Sequence, residues 1–480
     1  MGGGLLQLVA YGAQDAYLSG NPQITFWKGL FKRHTNFAME PFRVNFTGQA
    51  SWGTKHSAVL GRHADLLYST YLEVVMPAGT FNNDQGRLGY NLIKYVELNV
   101  GGQQIDRLYG EWLYLWDAMT SDFTTSKKLW NMVGAGPNIT GSVTQNYADA
   151  VAEVKTAIIG GASTGTFATG ISVNAVTTTA VAGTIASTVV FADPNATCTS
   201  GKPALPNVLY IPLTFFYTRN PGAALPLISL QYHEVKIDLQ WNDAQEIAGN
   251  FANASSLANP VQAAIYVDYI YLDTEERRRM AQESHEYLIE QTQYNEDKGI
   301  SSYSNRIDLT FNHPVKELVW VVQPSDYNNC KLPKSNGRAS QSGTTGTRLT
   351  PFTYDVDAVE SQTLQINGQD RLDRRYGDYF NQTQLYQHHT GLGGTVQTTS
   401  SLPLHQAGIY MYSFALKPEE HQPSGTCNFS RIDTATIVMN MSGNVAVGHA
   451  TDKTWDVRVY AVNYNILRIM SGMAGLAYSN

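Results

Sequence analysis

The chain repeats one short motif at a fixed distance. Residues 101–113 read GGQQIDRLYGEWL and residues 368–380 read GQDRLDRRYGDYF, an offset of 267 residues. Gly, Asp-Arg and Tyr-Gly recur in register, and Glu111 is matched by Asp378. Solenoid repeats have periods of about 20–50 residues. An echo at this distance in a chain of 480 residues therefore predicts two copies of one fold.

Two other patterns also recur, with shorter offsets, and all three patterns keep the same order in both copies. Residues 72–77 are matched by 319–324, an offset of 247. Pro221 and Pro226 are matched by Pro418 and Pro423, an offset of 197. Each proline pair follows an aromatic run that predicts a strand, over 213–217 and 410–414. The unequal offsets indicate that corresponding loops differ in length between the two copies.

The segment between the copies carries a helix signal. Asp273 followed by Glu276 fits a capping box and opens a helix at residue 274. Consecutive residues of a helix point in different directions, and glutamates lie nearby. We therefore interpret Arg277, Arg278 and Arg279 as part of a solvated or salt-bridged helix and not as an anion site. The predicted divisions are an N-terminal arm (1–24), a first copy (25–273), a linker helix (274–285) and a second copy (286–480).

Strands dominate the predicted secondary structure, which makes the fold class all-β. In residues 235–241 (VKIDLQW) apolar and polar side chains alternate, as in a strand with one face on a core. The same alternation recurs in 42–47 and 306–311. Short helices are expected near 110–120 and 377–388. More apolar runs predict strands covered on both faces, at 72–76, 315–322 and 435–441.

Composition supports this fold class and limits the function. Aromatic residues make up 11% of the chain, and such side chains fit a pleated, half-buried surface. Apolar content of 43% suffices for two cores, and all-β domains often run to about 200–250 residues. Only 15% of residues are charged, against a usual quarter or so, which suits a protein that hides surface against partners.

Charge and cysteine content exclude several classes of protein. Net charge is −7 and neither end is basic, whereas a genome-coating protein clusters Lys and Arg to neutralise phosphates. We therefore expect no direct contact with nucleic acid. Three cysteines cannot build a disulfide framework, which favours a reducing compartment. We expect neither a signal peptide nor a membrane-spanning segment.

Two stretches interrupt the strand pattern. Residues 134–206 are rich in Ala, Thr, Gly, Ser and Val, and we interpret them as a large ordered surface insertion, with disorder as the alternative. Residues 325–352 are rich in Ser, Gly and Thr and predict an exposed loop. Residues 161–165 (GASTG) match a nucleophile elbow, but the helix and triad partners that this motif requires do not follow.

No motif predicts an enzyme, a cofactor or a metal site. His233-Glu234 lies in a strand pattern, where the helical zinc motif does not apply. His388-His389 is interpreted as structural, since adjacent side chains diverge. Asn138, Asn195 and Asn381 lie in Asn-x-Thr sequons and are candidate glycosylation sites.

Long strings along the whole chain carry a family resemblance. They lie at 3–15, 20–26, 33–37, 272–279, 285–291, 414–418, 422–426, 463–465 and 472–480. In these strings the chain resembles the double jelly-roll major capsid proteins of the nucleocytoplasmic large DNA viruses. The segments without resemblance, 134–206 and 325–352, lie where loops of that family vary in length.

The resemblance implies two tandem eight-stranded antiparallel jelly rolls, with a few short helices and long loops. It implies a homotrimer of pseudo-hexagonal outline that tiles the facets of an icosahedral shell, with 134–206 as an outer tower. Residues 1–40 would run along the inner side, towards minor and penton capsid proteins and indirectly an internal membrane. Within them, the residues expected to contact inner-face partners are Phe26, Trp27, Arg33 and His34.

Other functions remain open at this level. One alternative is a minor or penton capsid protein. Another is a capsid subunit in which the 134–206 loop also binds a glycan or a receptor. In each case the expected location is the virion capsid, with synthesis and assembly in a virus factory of the host cytoplasm.

Overall fold

The computed structural model describes most of the chain outside its longest loops. The described residues are 3–23, 26, 31, 33–76, 88–122, 125, 128–129, 132–133, 177–181, 184–188, 208–244, 247, 259–324, 359–391, 409–441 and 455–478. Of the 134–206 insertion they include one antiparallel hairpin, 177–181 with 184–188. The other predictions for that insertion, and that for the 325–352 loop, lie outside the described residues.

The strands form two groups on either side of the linker helix. The first group is β1 Phe37–Asn45, β2 Lys55–Leu60, β3 Leu66–Val75, β4 Ile93–Val100, β5 Gln103–Tyr109, β6 Thr177–Val181, β7 Thr184–Thr188, β8 Val208–Pro212, β9 Leu225–Pro226, β10 Val235–Trp241 and β11 Gln262–Leu272. The second is β12 His285–Ile300, β13 Ser304–Leu309, β14 Pro314–Pro324, β15 Val359–Ile366, β16 Gln369–Asp370, β17 Arg375–Tyr376, β18 Ile409–Ser413, β19 Cys427–Asn428, β20 Ala435–Met441, β21 Trp455–Met470 and β22 Met473–Leu476.

The described helices are short and lie mostly at corners. They are α1 Gly3–Val9, α2 Asp15–Ser19, α3 Leu88–Leu92, α4 Gly110–Thr120, α5 Phe216–Arg219, α6 Thr274–Gln282 and α7 Gln384–His388. A π-helical turn, Tyr379–Thr383, leads into α7. Short 3-10 turns occur at Pro221–Ala223, Leu227–Ser229 and Phe429–Arg431. No helix in the described ranges is long and apolar enough to cross a membrane.

Both groups have the topology of a jelly roll. In the first, the sheets run β1-β11-β3-β8 and β2-β10-β4-β5. In the second, they run β12-β21-β14-β18 and β13-β20-β15-β16. If the eight strands on the two sheet paths of each group are numbered in chain order, both groups give the sheet orders 1-8-3-6 and 2-7-4-5, all antiparallel. The predicted fold class is therefore confirmed: the chain is a double jelly roll.

Burial along the strands follows the sequence pattern with one exception. In β10 the side chains alternate between buried and half-buried, as 235–241 predicted. Residues 315–322 are buried throughout, because one face packs on the second core and the other on the first jelly roll. The prediction for 72–76 was wrong. Leu72 and Val74 are fully buried, but Glu73 and Val75 are half-buried on the outer face of the sheet.

The repeated motif forms the hairpin and corner that leave the second sheet of each jelly roll. Gly110 and Gly377 begin these corners, and a Cβ at either would collide with a backbone carbonyl oxygen, of Ile93 and of Val359 respectively. A side chain therefore cannot fit at either position, which explains the shared glycine.

The hairpin turn itself follows a slightly different offset from the corner. It uses Gly101-Gly102 in the first copy and Asn367-Gly368 in the second, all at positive φ. These turns correspond at an offset of 266, one residue from the 267 of the sequence comparison. A β-bulge accounts for this difference of one residue, since the β4–β5 register shifts between Leu98 and Asn99.

One predicted strand is wrong, and the linker helix is shorter than predicted. Residues 213–217 continue past β8 as coil and then enter α5, whereas their expected counterpart 410–414 lies largely in the strand β18. The helix α6 begins as predicted, with the Asp273 carboxylate accepting a hydrogen bond from the Thr274 N–H at 2.7 Å. It ends at Gln282, because the backbone is extended from Glu283 into β12.

The arginines of α6 are paired, as predicted. Arg278 and Arg279 form ion pairs with Glu275 and Glu283 on the exposed helix surface, each at 3.1 Å. Arg277 instead reaches the buried carboxylate of Asp65 at 2.7 Å. This contact ties the linker helix to the first jelly roll.

Candidate functional site: the junction between the jelly rolls

The two jelly rolls share a buried interface, here called the roll junction. It is formed by β5 and α4 of the first roll and by the outer face of the sheet β12-β21-β14-β18 of the second. On β21, Val459 and Ala461 point into the second core, whereas Tyr460 and Val462 belong to the apolar cluster of the first roll. Alternation along a strand thus assigns one face to each roll.

The repeated motif of the first copy lies in the centre of this junction. Asp106 accepts hydrogen bonds from the backbone N–H groups of Arg107 and Thr292, at 2.9 and 3.1 Å. The ring of Tyr109 packs on that of Tyr294, with centroids 4.5 Å apart. The motif therefore makes inter-roll contacts as well as turning the chain.

Glu111, at the start of α4, anchors the first roll to strand β21. Its carboxylate accepts a hydrogen bond from the Tyr460 hydroxyl at 2.9 Å and contacts Arg458 Nη1 at 3.3 Å. The negative charge of Glu111, opposed by burial, raises the pKa of Arg458 further, so the guanidinium stays charged. Burial likewise raises the pKa of Tyr460 well above its ordinary value. The group is thus a fixed ion pair with a neutral phenol.

Asp106 is a buried carboxyl whose ionisation is disfavoured. Burial raises its pKa to about 7, although the two backbone N–H donors and the more distant Arg219 favour the charged form. The junction therefore contains one group that changes charge near neutral pH.

A buried histidine bridges two carboxylates at the edge of the junction. His389 Nε2 lies 2.9 Å from Glu317 and Nδ1 lies 2.9 Å from Glu419. Burial lowers the pKa of the imidazole, but the two carboxylates outweigh burial and raise it to about 9. Burial raises the pKa of Glu317, and the cationic ring more than offsets this, so the net shift is downward. The histidine is held as a cation.

The residues beside His389 join this cluster to the first roll. The Gly391 N–H donates to the Met119 carbonyl oxygen at 2.7 Å, and the Thr390 hydroxyl donates to the Thr120 carbonyl oxygen at 3.3 Å. The ring of Trp116 stands edge-on to the imidazole, with centroids 6.4 Å apart. His389 thus has a structural role, because it helps to fix the C-terminus of α7 against α4.

A second charged cluster crosses the junction through Glu290. Arg219 of the first roll lies 2.6 Å from Glu290, and Lys316 lies 2.8 Å from the other oxygen of the same carboxylate. The guanidinium of Arg219 stacks 4.0 Å from the Trp116 ring centroid. Buried charges persist only when paired in this way, so the two rolls are fixed in one orientation.

The residues predicted to contact inner-face partners lie in the N-terminal arm. Phe26 is 90% exposed, and Arg33 and His34 are exposed. The His34 Nδ1 is 2.8 Å from the Thr35 carbonyl oxygen, and its ring meets Phe37 edge-on. Trp27 lies outside the described residues. The structure therefore leaves the three described side chains accessible and does not gather them into a pocket.

The sequons differ in accessibility. Asn138 and Asn195 lie outside the described residues, so glycosylation there stays a prediction. Asn381 lies in the π-helical turn and is 1% exposed. An enzyme that attaches a glycan needs an accessible amide, so the folded chain disfavours modification at Asn381.

Sequence reasoning signalled only part of the junction. The repeat marked Asp106 and Glu111 without indicating that they are buried between rolls. Their partners Thr292, Tyr460 and Arg458 carried no motif. These partners lie on β12 and β21, far from residues 106 and 111 in the sequence, so no local pattern links them.

Comparisons with known proteins agree with this architecture. Residues 25–273 match the family described as major capsid protein N-terminus, and residues 276–475 match the large eukaryotic DNA virus major capsid protein. The chain is 43% identical to the major capsid protein of Pyramimonas orientalis virus and 40% identical to that of Phaeocystis pouchetii virus. Both alignments cover 100% of this chain and 100% of the relative.

The comparison with a solved structure indicates the same family. The chain is 32% identical to VP54 of PBCV-1, whose crystal structure has been fitted into a reconstruction of the virophage Sputnik. The match covers 95% of this chain and 100% of that chain, with a TM-score of 0.70. Family models, full-length relatives and fold all agree, and the chain belongs to the major capsid protein family of large eukaryotic DNA viruses.

Proposed function

We propose that this chain is the structural subunit that tiles the facets of an icosahedral virion. Three chains form a trimer of six jelly rolls, and such a six-sided unit packs into a flat hexagonal lattice. The observation that carries this proposal is the roll junction. Two rolls of one topology are locked together by the contacts of Glu111 and Glu290 and by the hydrogen bond from the Gly391 N–H to Met119, so the pair acts as one rigid piece.

The test is the mass of the purified protein and its place in a particle. Light scattering should give about three times the chain mass of 52.9 kDa. A stable monomer at micromolar concentration would contradict the proposal. Imaging of virions should show the double jelly roll in the facets. Density confined to the vertices would instead identify a penton protein.

The N-terminal arm supplies contacts to other shell components in this proposal. It exposes apolar side chains that have no place in the cores, including Tyr17 at 91%, Leu18 at 88% and Phe26 at 90%. Exposed apolar surface of this kind is typical of a binding segment. The partners are minor and penton capsid proteins on the inner side, and through them an internal membrane.

Deletion of residues 1–36 tests the role of the arm. We expect the shortened chain to form the same trimer but to lose retention of minor capsid proteins on co-expression. Retention at the full-length level would show that the arm is not the contact. The outward 134–206 loop, assembly in the host cytoplasm and absence of direct contact with nucleic acid complete the proposal, and a net charge of −7 supports the last point.

A further inference from the structure

One end of each jelly roll carries the same two structures, a tight hairpin turn and the loop that leads into the seventh strand of the roll. In the first roll the Gly101 N–H of the turn donates a hydrogen bond to the Glu234 carbonyl oxygen of the loop at 2.9 Å. In the second roll the Asn367 N–H donates to the Thr434 carbonyl oxygen at 2.7 Å in the same way. The two ends are therefore equivalent, and their surroundings can be compared.

In the first roll this end is covered by the C-terminal strand β22 of the same chain. The Ala474 N–H donates a hydrogen bond to His233 Nδ1 at 3.1 Å, and the Tyr232 N–H donates to the Gly472 carbonyl oxygen at 3.0 Å. Ala474 is 6% exposed and belongs to the apolar cluster of the first roll. The space at the first end is thus filled by protein.

In the second roll the corresponding end is open. A recess of about 530 Å³ lies between the turn at Asn367 and the strand β19. The strand β19 pairs with the start of β14 as β9 pairs with the start of β3, so Cys427 stands at the position of Leu225. Leu225 is 1% exposed, whereas Cys427 is half-buried and lines the recess. The second end therefore leaves apolar surface uncovered that the first end buries.

The walls of the recess are largely apolar. Four of its lining side chains are partly buried and pack on the second core, namely Ile366, Phe414, Cys427 and Ile432. Small-molecule sites typically have volumes of about 300–1,000 Å³ and are lined by apolar side chains with a few polar groups. Both the size and the lining of this recess fit a ligand with a hydrocarbon part.

Arg371 adds a positive charge to the rim of the recess. Its side chain is exposed, and within the described ranges it forms no ion pair. Burial raises the pKa of the Cys427 thiol and the charge of Arg371 opposes this shift, so the guanidinium lies near the apolar wall. Asp370 also lines the recess, but its carboxylate accepts a hydrogen bond from Gln365 Nε2 at 2.8 Å. The rim therefore offers a cation to an anionic ligand.

We propose that this recess, here called the second-roll recess, binds one single-chain amphiphile with a carboxylate head, a fatty acid of medium length. The carboxylate pairs with the Arg371 guanidinium, and the alkyl chain covers Cys427 and Ile432. The bound acid thus does at the second roll what β22 does at the first, since it removes apolar side chains from water. This binding function is separate from the tiling of facets proposed above.

Thiol labelling of the intact assembly tests the site. The protein is treated with N-ethylmaleimide with and without dodecanoate below its micellar concentration, and mass spectrometry of the digest reports each cysteine separately. At a dodecanoate concentration about ten times the Kd, we expect labelling of Cys427 to slow by about tenfold, because the alkyl chain covers the thiol. Labelling of Cys198 and Cys330 in the same sample reports any general effect of the amphiphile.

A variant of Arg371 separates the head of the ligand from its chain. In Arg371→Gln we expect the dodecanoate concentration that gives half protection of Cys427 to rise by about tenfold, because the charge-assisted pair is lost. The neutral 1-dodecanol should protect the parent and the variant equally. Arg374→Gln is the matched control, since Arg374 is also exposed but does not line the recess, and it should behave like the parent. Each chain is compared with its own rate without ligand.

The possible failures are distinguishable. Equal protection by dodecanoate in the parent and in Arg371→Gln, or the same weakening in Arg374→Gln, would overturn the carboxylate site. A Cys427 that is not protected in the parent, that is unreactive without ligand, or that slows together with the other cysteines would overturn the recess as a binding site. Light scattering of the same samples keeps the two proposals apart, because a trimer without protection overturns only the ligand, whereas a monomeric parent contradicts the trimer.

Discussion

The buried His389 should make the stability of this protein depend on pH in a defined window. Its pKa is about 9 in the folded chain against 6.5 for a free imidazole. Because the folded pKa is raised, the charged His389 stabilises the folded chain fully below about pH 6.5, and this stabilisation is lost as the pH rises through 9. Each pKa unit corresponds to about 1.4 kcal/mol, so the loss between pH 6 and pH 9 is about 3 kcal/mol.

The variant His389→Gln isolates this contribution. A glutamine cannot carry the positive charge, and it leaves the buried carboxylate of Glu317 without the cation that hydrogen-bonds to it. We expect the variant to lose about 3 kcal/mol of unfolding free energy at pH 6, with the loss shrinking towards pH 9. The reason is that removal of one partner leaves the other charge buried and unpaired. Below about pH 4.5 protonation of Glu317 and Glu419, whose folded pKa values are lowered, removes the same interaction.

The assay is urea unfolding at fixed protein concentration and at pH 6, 7.5 and 9. The quantity compared is the difference in free energy of unfolding between parent and variant, which cancels the titration of other groups. His388→Gln is the control, since the neighbouring ring contacts the Leu416 carbonyl oxygen at 3.1 Å and, within the described ranges, no carboxylate. A difference that stays constant within about 0.5 kcal/mol from pH 6 to pH 9 would refute the reasoning.

Three further variants probe other contacts. Asp106→Asn keeps a carbonyl oxygen that can accept the two backbone hydrogen bonds, but it removes a carboxyl whose pKa is raised to about 7. Urea unfolding should therefore show that the variant gains free energy of unfolding over the parent chain at pH 8 relative to pH 5, on the order of 2 kcal/mol. A difference between variant and parent that does not change with pH would contradict this. Arg277→Ala should cost about 1–2 kcal/mol by leaving buried Asp65 without its cation, whereas exposed Arg278→Ala should cost under about 0.5; equal losses would show that burial does not matter. Gly377→Ala should lower the melting temperature in calorimetry, because its Cβ would lie 2.5 Å from the Val359 carbonyl oxygen; an unchanged temperature would show that the backbone yields freely there.

Local regularities explain what could be predicted from the sequence. Alternation in 235–241 predicted β10 because the two faces of a strand meet different surroundings. The Tyr-Gly of the repeat recurs in both copies because backbone crowding at Gly110 and Gly377 admits no side chain at these two corners. The errors were also local: the aromatic run 213–217 has strand composition, but it turns into α5 at the end of β8.

Residue identity by itself determined that this chain contains two copies of one all-β fold, since periodicity and a repeated corner are properties of neighbouring residues. Only the tertiary structure decided which copy of the motif is covered. Asp106 is buried and Asp373 is exposed, although both lie in the same local sequence. The difference arises because the linker helix brings the sheet of the second roll onto the first motif. In the second motif Asp373, Tyr376 and Asp378 stay exposed within the chain.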